Sequence, residues 1–257
     1  MPSFAVLILS CDKYSDLWDG FFTLFFRNFN YDTKLYLANN FKKYQYKDKS
    51  IEIINCGEDK NWSNHLISAL NHLNEDFIFI ILEDLYIVEC IKKEEIFKVV
   101  EFSIAENIQH LKYSAFPVGD LGFKKGYKKY SPGMPYSVSV CGIWNKNYLL
   151  SLLLDGESAW DFEINGSYRS KFSNERFYCP IKPLIDYINM VEKGRWVLEN
   201  VEKAKKLGIE IDLGRRRIKG RFAYSVVNSY FNLVVWLIPY NYRIKFVGII
   251  KKLLASY

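Results

Sequence analysis

The chain has 257 residues, of which 49% are hydrophobic and 17% aromatic, and its 35 lysines and arginines against 29 acids give a formal charge of +6. That is apolar material for one sizeable core, and too short a chain for two large domains. Five widely spaced cysteines with no CxxC, and only three histidines, argue against a zinc ribbon, a disulfide framework or a histidine-rich metal centre, and point to reduced thiols and to oxygen ligands for any metal.

Met1 to Asp12 lacks the basic leader and cleavage site of a signal peptide, and its apolar run is too short to span a bilayer. Phe4 to Cys11 reads as the first strand of a cytoplasmic fold. From Asp16 to Phe26, Leu17, Trp18, Phe21, Phe22, Leu24 and Phe25 recur at helical spacing. Lys34 to Ala38 and Ile51 to Cys56 predict two more strands, and Asn64 to Leu73 a helix with Ser63 as its N-cap. This alternation predicts an α/β fold, a mainly parallel sheet flanked by helices. The first strand ends in Ser10-Cys-Asp-Lys-Tyr14, so neither the GxGxxG turn of a dinucleotide site nor a P-loop is present.

The run Phe77-Ile-Phe-Ile-Ile-Leu-Glu-Asp-Leu-Tyr86 predicts a strand buried on both faces that stops at two adjacent carboxylates, Glu83 and Asp84. Open α/β sheets bind ligands at the carboxyl ends of their strands, where a divalent metal would let two acids share a site. An acidic pair ending a strand in solvent is the other reading. Pro117 to Pro135, rich in Gly, Pro, Lys and Tyr, predicts an irregular, mobile connection. Val138 to Trp144 reads as a strand, Tyr148 to Leu154 as a helix, and Asp155-Gly-Glu-Ser-Ala-Trp-Asp-Phe-Glu163 as an acidic turn. Aromatic faces for a sugar ring and a carboxylate to take a hydroxyl proton suit this segment to an acceptor pocket.

After a predicted helix over Leu184 to Met190, Lys193-Gly-Arg-Trp196 offers either a diphosphate clamp through Lys193 and Arg195 or a helix C-terminal cap. An amphipathic stretch near Trp196 to Leu207 precedes the basic run Gly214 to Phe222. The aromatic and aliphatic segment Ala223 to Tyr257 then invites either an anionic membrane surface or a helix pair packed on the core or on a second subunit. The sequence thus divides into a catalytic unit, residues 1–212, and a basic, aromatic-rich helical tail, residues 213–257. No nucleic-acid-binding motif accompanies the positive charge.

Leu9-Ser-Cys-Asp12, Trp62-Ser63, Leu82-Glu-Asp-Leu-Tyr86 and Glu157-Ser-Ala-Trp-Asp-Phe-Glu163, in that order, resemble bacterial surface-polysaccharide glycosyltransferases of the GT-A type, over roughly the first four-fifths of the chain. The resemblance implies a GT-A, Rossmann-like sheet and a nucleotide-sugar donor held by Ser10, Asp12, Trp62, Ser63 and Glu83, to which the diphosphate clamp read from Lys193 and Arg195 would add. It implies manganese or magnesium at Asp84 with Glu83, although a literal Asp-x-Asp is absent. It also implies an inverting transfer with Glu163 as base and Asp161 as second candidate, on a saccharide acceptor, in one version polyprenyl-diphosphate-linked, at the inner membrane face in lipopolysaccharide, O-antigen or capsule assembly. A non-catalytic membrane-associated assembly protein and a sugar nucleotidyltransferase are the alternatives, and a homo-oligomer is compatible with all three.

Overall fold

The computed structural model describes residues 3–219 except 30–31, 59, 125 and 173–175. Strand β1 (Phe4–Leu9) leads through a 3-10 turn at Asp12–Leu17 into helix α1 (Trp18–Asn28). Then come β2 (Lys34–Asn39), β3 (Glu52–Asn55), α2 (Trp62–His72), β4 (Phe77–Leu82) and the short β5 (Leu85–Ile87). Helix α3 (Lys93–Ala105) precedes β6 (His110–Lys112), and β7 (Leu121–Gly122) with β8 (Tyr127–Lys129) makes a small hairpin. Strand β9 (Gly142–Asn145) runs straight into α4 (Lys146–Leu152), and α5 (Ala159–Arg169) precedes β10 (Phe177–Pro180). The last elements are β11 (Tyr187–Asn189), β12 (Val191–Glu192), β13 (Arg195–Val197), α6 (Leu198–Lys206) and β14 (Ile218–Lys219).

One nine-stranded sheet organises the chain in the order β3-β2-β1-β4-β9-β6-β10-β8-β7. Strands β3, β2, β1 and β4 are parallel, β9 is antiparallel to both β4 and β6, and β6 and β10 therefore run in the direction of β4. This is the expected α/β class, a mainly parallel sheet flanked by helices. Central β1 and β4 are apolar throughout because both of their faces are covered.

On one face α1 lays down a row of rings: Phe21, Phe25 and Phe29 stack in succession, and Phe29 meets Phe79 of β4 at 6.0 Å. The other face presents Trp144, paired in register with Ile78 and His110, to Phe162 of α5, which also packs on Trp62 of α2. Each fully buried side chain of this kind contributes about 2 kcal/mol relative to exposure. At Gly142 only glycine fits: its φ is +144°, and a Cβ would stand 2.5 Å from the Leu111 carbonyl oxygen of neighbouring β6.

Several sequence expectations change here. The cap of α2 is Asn61, whose Oδ1 accepts the Asn64 N–H at 2.9 Å, and Ser63 lies inside the first turn. Leu184 to Met190 is not helical: Tyr187–Asn189 form β11, antiparallel to β5. Consequently Lys193-Gly194 is not a helix cap but the two-residue turn of the β12–β13 hairpin, with φ of +50° and +74°. The 117–135 connection contributes β7 and β8 to the sheet edge rather than remaining wholly irregular, because β8 finds a free edge on β10. The strand within 138–144 is β9, confined to its end and antiparallel.

The boundary drawn at residue 212 falls within a small sheet, since β14 pairs in parallel with β13. The tail expected to be helical lies, from residue 220 on, outside the described residues. Among the described residues no helix is long and apolar enough to cross a membrane.

Candidate active site

Glu83 and Asp84 occupy the tight turn between β4 and β5, at the carboxyl edge of the sheet. The parallel register Leu9↔Leu82 brings Ser10 beside Glu83, and Ser10 Oγ also accepts the Trp18 indole N–H at 2.8 Å. Glu83 is buried, and its carboxyl is held well above the usual carboxylate range first by desolvation and then by the charge of Asp84. Desolvation pushes Asp84 up to about 6, against backbone hydrogen bonding and Arg216, which lower it. Burial thus disfavours the ionised form of both acids of the pair. Asp84 Oδ1 is enclosed and has no hydrogen-bond partner, a carboxylate oxygen placed to receive a ligand.

The cation of this site is Arg216. Its guanidinium grips Asp16 through two bonds of 2.8 and 2.5 Å, lies 4.3 Å from the Tyr14 ring centroid, and extends its field over both Glu83 and Asp84. Trp196 of β13 flanks it at 5.8 Å. Arg195 and Lys193, by contrast, are exposed on the hairpin. Sequence reasoning missed Arg216 because it sits in a basic run whose members look alike; only pairing with a residue 200 positions away distinguishes it. Tyr14, whose hydroxyl burial pushes up, was visible at the end of the first strand but carried no motif.

Asp12 stitches two loops at the same edge: its carboxylate accepts the backbone N–H groups of Asn40, Phe41 and Lys42 at about 3.2 Å, and its own N–H donates to Asn40 Oδ1 at 2.8 Å. Trp62 packs against Phe162 at 5.5 Å. Ser63 is fully buried; its N–H donates to the Glu157 carbonyl and its Oγ accepts the Glu157 N–H, both at 3.2 Å. These two residues thus join α2 to the segment that opens α5.

On α5 the two acids have different surroundings. Asp161 completes a capping box, its carboxylate accepting the Ser158 N–H and hydroxyl while its own N–H donates to Ser158 Oγ. Glu163, half-buried, accepts the Val140 N–H at 3.1 Å. Between Glu163 and the β4 turn stands Cys141, fully enclosed, whose thiol is pushed up by burial and then by the charges of Glu163, Asp84 and Glu83. One small side chain thus feels all three carboxylates, which places Glu163 and the acid pair around one point of the edge. Lys112, buried on β6, also faces Glu163; burial pushes its ammonium down to about 8 and Glu163 opposes the change.

The chemistry such a site offers is that of an anionic ligand, held by a cation or metal at the acid pair, with a carboxylate nearby to move a proton. Among the described residues no group of three or more His, Cys, Asp or Glu is arranged to hold a metal ion. The orphaned Asp84 Oδ1 is an oxygen ligand that would suit a divalent cation, which would supply positive charge for an anionic ligand.

No protein-family model matches the chain, and no curated protein sequence matches it. Solved structures similar to it include S. aureus TarS residues 1–349, at 12% identity and a TM-score of 0.47 over 69% of this chain and 60% of that one. TarS 1–349 in complex with UDP-GlcNAc gives 11% identity and a TM-score of 0.46 over 82% and 68%. The glycosyltransferase GlyE of Streptococcus pneumoniae TIGR4 gives 15% identity and a TM-score of 0.36 over 59% and 36%. The chain thus spans from about a third to two thirds of those structures.

Proposed function

We propose that this chain is a nucleotide-sugar-dependent glycosyltransferase. The observation that carries the reading is the acid pair at the carboxyl edge of β4, with an unpartnered Asp84 oxygen, a buried arginine beside it and Glu163 around the same point. Asp84, with Glu83 as its neighbour, is the residue that would hold a divalent cation for the donor diphosphate. That cation would supply charge neutralisation for the departing nucleoside diphosphate. Arg216 adds a fixed positive charge to the same place, the role the sequence suggested for Arg195. Glu163 removes the proton from the acceptor hydroxyl in a single displacement that inverts the anomeric carbon, while Asp161 keeps α5 capped and so keeps Glu163 in position.

Bacterial surface-polysaccharide assembly is the setting supported by the motif resemblance. The basic and aromatic composition of residues 214–257 supports a lipid-linked acceptor at an anionic membrane surface. The test is a thermal-shift screen of the full chain against UDP, GDP, CMP and dTDP, with and without manganese. A selective, metal-dependent shift that disappears in Asp84→Asn is the expected result; no shift with any nucleotide would sink the transferase reading in favour of a non-catalytic scaffold.

A further inference from the structure

A cavity of about 380 Å³ opens beside the site, between the loop after β6 and the connection from β10 to β11. Its place follows from topology. Strands β6 and β10 run in the direction of β4, so the residues that follow them emerge at the edge that carries Glu83 and Asp84. Tyr187, on the cavity wall, opens β11 and pairs with Ile87 of β5, the strand that starts directly after Asp84. Behind Tyr187 stands Tyr113, ring to ring at 5.0 Å and hydroxyl-bonded to it, and the Tyr113 hydroxyl in turn feels Glu163 and Cys141. Cavity and both tyrosines therefore adjoin, with Glu163 within electrostatic reach of Tyr113.

The wall is built rather than incidental. Lys112 Nζ donates to the carbonyls of Phe116 at 2.9 Å and Tyr136 at 2.8 Å, fixing both ends of the intervening loop, and the Leu184 N–H donates to the Tyr113 carbonyl at 2.8 Å, tying the two lining loops together. What the wall presents is mixed: the half-exposed Phe116 ring and Pro183 as apolar faces, the Tyr187 ring, and at the rim the Asp186 carboxylate and the Ser114 hydroxyl. A pyranose has the matching chemistry, with C–H faces for aromatic rings and hydroxyls that donate to a carboxylate. A phosphate would meet Asp186 as a like charge.

We infer that this cavity receives the acceptor saccharide, with an uncharged pyranose ring against Phe116 and Tyr187 and its hydroxyls oriented by Asp186. The inference rests on the glycosyltransferase reading and goes beyond it in assigning the acceptor to this cavity rather than to the 138–163 segment alone.

The experiment is ligand-observed saturation-transfer NMR on the full chain. Methyl glycosides of glucose, galactose, mannose and N-acetylglucosamine are offered at millimolar concentration with UDP present, and the UDP thermal shift is read on the same samples. Transfer to at least one glycoside is expected, falling about fivefold in Phe116→Leu and in Asp186→Asn, since an aromatic or charged contact of this type is worth about 1 kcal/mol. The UDP shift stays unchanged in both variants. Absence of transfer, or transfer indifferent to both substitutions, overturns the cavity as the acceptor site, and a persisting UDP shift then leaves the transferase reading intact. Phe116-dependent transfer with no nucleotide stabilisation keeps a saccharide site here and overturns the transferase reading instead.

Discussion

Asp84→Asn is expected to make the metal-free protein more stable while removing its donor binding. In the folded chain burial raises the Asp84 carboxyl from 3.8 to about 6. At ~1.4 kcal/mol per tenfold change in proton affinity, that displacement is about 3 kcal/mol of native-state cost whenever the group is ionised in both states. The sign follows from proton counting: the native state binds this proton more tightly than the unfolded state, so the contribution of Asp84 to stability falls as pH rises from about 3.8 to about 6 and is level above. An amide never pays it. The gain of Asp84→Asn over the parent should therefore be close to zero at pH 4, grow through pH 6 and reach at most about 3 kcal/mol at pH 7, less what Arg216 loses as a partner. Urea unfolding of both proteins in chelator, from pH 4 to 8, reads this directly. A variant no more stable than the parent at pH 7, or a difference that does not change between pH 4 and 7, would refute the reasoning.

Other consequences of the site are equally open to measurement. Glu163→Gln should lower kcat by about 10²- to 10⁴-fold with the UDP thermal shift retained; full activity would remove Glu163 as the base. Asp161→Ala should cost about 1 kcal/mol of unfolding free energy through the lost capping box, with kcat little changed, and a kcat loss like that of Glu163→Gln would exchange the two roles. Arg216→Met leaves the buried Asp16 carboxylate alone and should destabilise by about 3 kcal/mol or more, most of it recovered in the double variant with Asp16→Asn; equal losses in single and double variants would contradict the pair. Gly142→Ala forces a Cβ against the Leu111 carbonyl at a φ of +144° and should cost about 3 kcal/mol in denaturant unfolding, so an unmoved midpoint would mean that β9 and β6 do not meet as described.

The parts of the fold that sequence pattern revealed are those in which one local signal decides. The apolar runs that became β1 and β4, and the helical spacing of Leu17, Phe21, Leu24 and Phe25, leave no other economical burial, and each element appears within a few residues of its expected place. Direction and partnership are different quantities. Nothing in Val138 to Trp144 says that its strand runs against β4, because alternation and burial are the same in either sense. Leu184 to Met190 has apolar residues at a spacing compatible with a helix, and only the free edge offered by β5 makes Tyr187–Asn189 a strand. Arg216 and the Phe116 cavity escaped for the same reason, since each is defined by neighbours far away in the chain.

On the proposed glycosyltransferase reading, the electrostatics of the assembled site would favour a divalent cation even without a literal Asp-x-Asp. Arg216 is positive, and its two bonds to Asp16 fix the guanidinium where its field reaches the acid pair. Burial makes the charged forms of Glu83 and Asp84 costly in this enclosed place. A donor diphosphate brought to this edge alone would meet a like charge with little water to screen it. Asp84, through its orphaned oxygen, is the residue that would hold a divalent cation, which would supply positive charge for such a diphosphate.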